Sequence, residues 1–291
     1  MSARESEGAP ERRLAIVCGG GTLPLAVADA VTRRGRPVVL FPIKGWADPQ
    51  AVAGHSHRWI AIGQLGRLQR LAAQESCREM VWIGTVLRPS LRQIRLDLTT
   101  LRELPRILAA FRGGDDHLLT MLGRIFEEHG LKLVGAHEVA PEILARDGAL
   151  GRLTPGDRDR ADIARALAVL AATGPYDIGQ AAVVADNHVL ALEAAEGTDN
   201  MLARIADLRL QGRVRSRIGT GVLVKAAKAG QDRRFDLPSI GPQTIAGVAG
   251  AGLAGLAVVA GDVIIAEPQR VAVAADAAKV FVAGVGRHGS A

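Results

Sequence analysis

The stretch from Leu14 to Pro42 most constrains what this chain can fold into. Leu14 to Cys18 (LAIVC) is an uninterrupted apolar run that ends in Gly19-Gly20-Gly21, and helical periodicity follows from Leu23 to Arg34 with Pro24 in its first turn. An apolar run without alternation reads as a strand buried on both faces. Proline is tolerated in a first helical turn, where the amide it lacks would have no partner. Gly35 ends the helix, and Pro37–Pro42 (PVVLFP) supplies a second strand. Strand, helix and strand joined this tightly close as a right-handed crossover between parallel neighbours.

The alternation continues. Arg58–Ile62 is expected as a strand, Leu65–Ser76 as a helix, Met80–Gly84 as a strand, Thr99–Ala110 and Asp115–His129 as helices, and Leu131–Gly135 as a strand. The fold class is therefore α/β, with an N-terminal doubly wound, Rossmann-like parallel sheet domain over 11–137 behind a polar tail at 1–10. Gly148, Gly151, Pro155 and Gly156 punctuate a linker at 138–155, with helical character at Pro141–Ala145. A C-terminal α/β (α+β) domain is expected over 156–291. It opens with a helix at Asp159–Thr173 and continues with strands at Gln180–Ala185, His188–Ala194, Gly221–Ala226, Ala254–Val259 and Val263–Ala266. Asp186-Asn187 is a turn pair and makes 180–194 a hairpin. Two domains suit a chain of 291 residues.

Composition narrows the function. Two cysteines, Cys18 and Cys77, make no disulfide framework and read as small buried hydrophobes. The net charge is +6 while aromatics are only 3%. Stacking platforms for single-stranded nucleic acid are thus scarce, and phosphate ligands or an anionic membrane face are the better partners; no nucleic acid is expected. Leu237–Gly261 carries no charge, but its prolines and glycines divide it into a loop, a short helix and a buried strand rather than a membrane span. Met1–Pro10 has no apolar core of a leader, so the expected location is cytoplasmic.

Five motifs carry candidate chemistry. Gly20, Gly21, Thr22 and Leu23 lie between a strand and a helix N-terminus, where a phosphate, ribose or base can approach backbone; a tight structural turn is the alternative. A nicotinamide site is disfavoured, because Pro24 stands where the dinucleotide fingerprint has glycine and no acidic residue closes the second strand. Arg88 follows the strand at 80–84 and is placed to meet a phosphate, or is a surface arginine beside Pro89. Asp115 reads as a helix N-cap, with Asp116 the carboxylate left for a ligand. Gln180 and the turn Glu196-Gly197-Thr198-Asp199 offer oxygens and backbone amides to a cation or a phosphate. In the run 225–241, Lys225 and Arg233 could neutralise a diphosphate, while Asp232 and Asp236 could hold a divalent ion or orient water.

VCGGGTLP at 17–24, LRP at 87–89, GDDHLL at 114–119, DIGQAAVV at 177–184, LEAAEGTDNML at 192–202 and QDRRFDLPSIGPQTI at 231–245 together resemble the bacterial UDP-2,3-diacylglucosamine pyrophosphatases of lipid A biosynthesis, the type unrelated to calcineurin-like phosphoesterases. The resemblance spans nearly the whole chain. It implies Mg²⁺-dependent hydrolysis of a lipid-linked UDP-sugar to UMP and 2,3-diacylglucosamine 1-phosphate, with the substrate between two domains. It implies an essential aspartate placed by motif at Asp236, with Asp232 second; Glu196, read from its own turn, is a further candidate for the base. A homodimer and a peripheral position on the cytoplasmic face of the inner membrane are compatible with it. The uncharged stretch 244–261 could line a chamber for the acyl chains. A non-catalytic nucleotide-sugar or lipid sensor is the alternative, disfavoured because idle carboxylates repel anionic ligands.

Overall fold

In the computed structural model, described over residues 12–86, 90, 93–111, 115–176, 178–228, 231–235 and 237–287, the chain divides into two units. The first runs to Pro141 and also takes in residues 232–235. The second begins at Glu142, breaks off after Gln231 and resumes at Leu237.

The first unit contains β1 (Leu14–Cys18), α1 (Leu23–Arg33), β2 (Val38–Pro42), α2 (Pro49–Val52), α3 (Leu65–Gln74), β3 (Glu79–Ile83), α4 (Leu98–Phe111), α5 (Asp115–Glu128), β4 (Lys132–Leu133) and α6 (Ala136–Val139). Its sheet has the order β2-β1-β3-β4, and every pairing is parallel. The apolar run that opened the sequence is wholly buried as β1. Its core joins Val17, Phe41, Met80, Phe126 and Leu133. Burial pushes the Cys18 thiol up to about 12 and the Cys77 thiol up to about 11, so both behave as the inert small hydrophobes expected of them.

Arg58–Ile62 does not form a regular strand. It runs beside β2 through isolated bridges, with Leu40 N–H donating to Ser56, Arg58 N–H to Leu40, Ile60 N–H to Pro42 and Lys44 N–H to Ile60. The bond missing from this ladder is the one residue 42 would donate, and Pro42 has no amide.

The second unit contains β5 (Gly148–Ala149), α7 (Asp157–Thr173), β6 (Ala181–Ala185), β7 (His188–Leu192), α8 (Gly197–Leu210), β8 (Val222–Lys225), β9 (Ser239–Ile240), α9 (Pro242–Gly250), β10 (Gly255–Val259), β11 (Ile264–Ile265), α10 (Pro268–Ala278) and β12 (Phe281–Val285). Its main sheet has the order β5-β12-β10-β8-β6-β7 among the described residues. The strands β12, β10 and β8 are parallel, and β6 runs antiparallel to both β8 and β7. Asp186 and Asn187 both take positive φ, 48° and 64°, as a tight turn from β6 to β7 demands. β11 pairs with β9 outside the main sheet.

The uncharged stretch resolves into β9, α9 and β10, and among the described residues no helix is long and apolar enough to cross a membrane. Ile245, Val248, Ala251, Leu253, Leu256 and Val258 are packed into the unit's core. The apolar side chains expected to line a chamber therefore hold the sheet and its helices together instead, each removed from water by its neighbours.

Candidate functional site

In the first unit, β1 lies between β2 and β3, so the connection leaving β1 and the one returning to β3 go opposite ways. Ligands of open parallel sheets sit at this crevice beyond the carboxyl ends of the strands. The loops after β1 and β3 meet there: Gly19 N–H donates to Ile83 O at 2.9 Å, Gly20 N–H to Thr85 O at 2.8 Å and Thr85 N–H to Gly20 O at 3.0 Å. A Cβ on Gly19 would stand 2.6 Å from the Gly84 carbonyl, so close loop packing accounts for the first glycine. Gly21 differs, with φ of +89° and nothing within 4 Å of where a Cβ would point. Thr22 is exposed at the N-cap of α1 without capping it, and Leu23 begins the helix half-buried. Arg88 lies outside the described residues; Asp116 falls in the first turn of α5, with its side chain outside the described set.

The second unit gathers a connected polar network at the carboxyl end of β8, where β6 begins and β7 ends. Lys225 closes an apolar strand and is only 7% exposed. Its Nζ donates to Thr198 Oγ1 at 3.0 Å and to the Ser239 carbonyl at 3.1 Å. The Thr198 hydroxyl in turn donates to Glu193 Oε1 at 2.6 Å, and Glu193 Oε2 accepts the Gln180 N–H at 2.9 Å. A carboxylate, a hydroxyl and a buried ammonium are thus held in one line, each satisfying the next. Gly179 makes this possible: at φ +42°, a Cβ there would lie 2.1 Å from the Glu193 carbonyl oxygen. Gly197 opens α8 at φ +76°. Asp199 accepts from Gln243 Nε2 at 3.2 Å, and Glu196 pairs with Arg204 at 2.7 Å. A bond from its own backbone amide, then the Arg204 guanidinium, hold the Glu196 carboxyl below the usual range.

Residues 232–235, although preceded and followed in sequence by the second unit, belong to the first. Phe235 packs against Gly123 and Leu133. Asp232 Oδ2 accepts from Arg234 Nη2 at 2.8 Å, Oδ1 accepts the Arg234 N–H at 3.0 Å, and Arg234 Nη1 reaches Glu127 Oε1 at 2.9 Å. The guanidinium holds the Asp232 carboxyl below its usual range. Arg233 stands near His137, where burial and then the Arg233 cation lower the imidazole. Asp236 lies outside the described residues. Among the described residues no three His, Cys, Asp or Glu side chains form a metal cage.

Gln180, Glu196, Gly197, Thr198, Asp199 and Lys225, all candidates by sequence, lie together in the second unit. Asp232 and Arg233 are in the other, as are Gly20 to Leu23. Glu193, Ser239 and His137 were not among the candidates. Glu193 carried a usable signal, since like Lys225 it is a charged residue directly after an apolar strand. Ser239 acts through its backbone carbonyl, which no residue type reveals.

Fold and site together define a two-unit α/β protein whose polar groups collect at the carboxyl ends of its parallel strands. The N-terminal domain model of the LpxI family matches residues 13–143, and the C-terminal domain model matches 146–283. The UDP-2,3-diacylglucosamine pyrophosphatase LpxI of Caulobacter vibrioides is 40% identical over 276 residues, covering 94% of this chain and 98% of that protein. The chain belongs to the LpxI family.

Proposed function

We propose that this chain hydrolyses the diphosphate of UDP-2,3-diacylglucosamine to UMP and 2,3-diacylglucosamine 1-phosphate in lipid A biosynthesis. The similarity to a pyrophosphatase along almost its whole length supports this, and the Glu193–Thr198–Lys225 network is the observation that carries it in the structure. A diphosphate needs cationic donors held in place. Lys225 at the end of β8 and the Thr198 and Asp199 amides in the first turn of α8 supply them. Glu193 fixes the Thr198 hydroxyl, which leaves it oriented before substrate arrives.

Water is a poor nucleophile and gains from a carboxylate base whose proton affinity lies near working pH. Asp232 and Glu196, both lowered by arginines or amides, are good anions and weak bases. Asp236, where the motif resemblance places the essential aspartate, is our choice of base. Mg²⁺ belongs to the proposal. It takes one or two carboxylates and leaves its remaining positions to water and phosphoryl oxygens, so the Asp232 carboxylate suits it once Arg234 is displaced, with Asp236 left off the metal as the base. Bound there, the ion would neutralise charge on the phosphoryl oxygens. A peripheral position on the cytoplasmic membrane face and a homodimer complete the reading.

The test is UMP release from purified chain, substrate and MgCl₂, followed by chromatography. Release that EDTA stops is the expected result. No release at any protein concentration, with substrate bound but intact after long incubation, would favour the sensor. Asp236→Ala should lower turnover by about a thousandfold without changing the melting temperature; full retained activity would move the base to Asp232 or Glu196. Sedimentation of the same protein tests the dimer.

A further inference from the structure

The helix α4 is inside out on one side. Leu98, Leu101, Pro105 and Leu108 follow one another at spacings of three, four and three, which places them on a single helix face. Leu98 is 75% exposed, Leu101 47% and Leu108 56%, and Pro105 and Ala109 are exposed with them. The opposite side of the helix already has its partners. Thr100 is buried and bonds both Leu65 N–H and the Gly63 carbonyl, Ala110 is buried, and Ile107 packs on the core of the first unit. Leaving leucines in water along three turns forgoes the stabilisation that burying them would give, and a contiguous exposed patch of this kind marks a contact surface.

Charge says what the surface meets. Arg102 lies exposed on the same face, and Arg95 is exposed just before the helix. The acidic groups nearby face elsewhere. Asp97 accepts from the Arg67 and Thr100 amides, and Glu103 pairs with Arg106, which also holds Glu128. Leucines flanked by arginines, in a chain of net charge +6, suit a bilayer with anionic headgroups. A second protein copy bearing the same cations would repel this one.

We infer that the Leu98–Leu101–Leu108 face of α4 docks on an anionic lipid surface and brings the first unit to the bilayer. The choice of a lipid partner rests on the proposed reaction, whose substrate carries two acyl chains. The helix lies on the membrane and does not cross it.

Flotation of the full chain with vesicles of phosphatidylglycerol and phosphatidylethanolamine tests this, with phosphatidylcholine vesicles as the neutral comparison. The chain should float with the anionic vesicles. The triple variant Leu98→Gln, Leu101→Gln, Leu108→Gln should lower the bound fraction about tenfold or more at unchanged thermal melting, because each leucine removed takes apolar carbons out of the interface. Arg95→Gln with Arg102→Gln should weaken binding to anionic vesicles alone. Wild-type protein that stays at the bottom of the gradient overturns the inference, as does a triple variant that floats normally. A triple variant that turns a dimer into a monomer also overturns it, since a second copy would then cover the face. UMP release from detergent-dispersed substrate, measured on the same samples, separates the two proposals. Release without flotation counts against docking alone, and flotation without release counts against the reaction alone.

Discussion

Two charged stretches in the second half of the chain look interchangeable as sequence, and the structure gives them opposite characters. Around 193–199 and 225, charge is built into the end of a sheet: Lys225 is buried, and its bonds run through Thr198 to Glu193. Around 232–235, charge lies on the outside of the other unit, where Arg234 joins Asp232 and Glu127 with a third of its side chain exposed. In the first arrangement Lys225 itself has almost no water to fall back on if a partner is lost. The second does, because exposed ion pairs compete with solvation and carry little net stability.

The comparison breaks most readily at Gly179. Gly179→Ala forces a side chain into the Glu193 backbone and should destabilise the protein by about 3 kcal/mol or more, read by urea unfolding, with loss of activity alongside. An undiminished midpoint would mean that the turn before β6 is free to move. Lys225→Ala comes next. It leaves the Thr198 hydroxyl and the Ser239 carbonyl without their donor and should cost about 2 kcal/mol; a loss under 1 kcal/mol would put Lys225 in the same class as the surface pairs. Arg234→Ala, the counterpart in the other stretch, should cost only about 0.5 kcal/mol. A much larger effect would erase the distinction.

The smallest effect concerns pH. Burial and the Arg233 cation hold His137 below its ordinary value of 6.5. As pH falls through that value the unfolded chain takes the proton first, so stability is full above it and declines below, until the lower folded value is reached. His137→Gln should flatten this decline in melting temperature. If the slope persists unchanged, the titrating group lies elsewhere.

Much of the first unit was legible because buried parallel strands leave unbroken apolar runs, and LAIVC, PVVLFP and MVWIG could hardly be anything else. The hairpin at Asp186-Asn187 was legible because its turn needs residues that tolerate positive φ. What escaped was information not local to a residue. The sequence reading leaves α10 and β12 unassigned, since PQRVAVAADAA and FVAGV are both rich in alanine and valine and only pairing with β10 tells strand from helix. Arg58–Ile62 was assigned from its own composition, whereas the break comes from Pro42 across the sheet. At the site, residue types pointed to Thr198 and Lys225, but the carboxylate linking them to Gln180 was passed over in favour of Glu196, a residue whose partner is an exposed arginine.

The placement of residues 232–235 has a consequence for anyone cutting or recombining this protein. The obvious scissor point is between Pro141 and Glu142, yet a fragment ending there would expose Leu133 and Gly123 where Phe235 now sits, and would leave Glu127 without Arg234. The complementary fragment would carry an aromatic side chain with nowhere to bury it. The two halves are not exchangeable cassettes: a few residues supplied late in synthesis finish the surface of the domain made first, so the first unit is complete only once synthesis has passed residue 235 of 291.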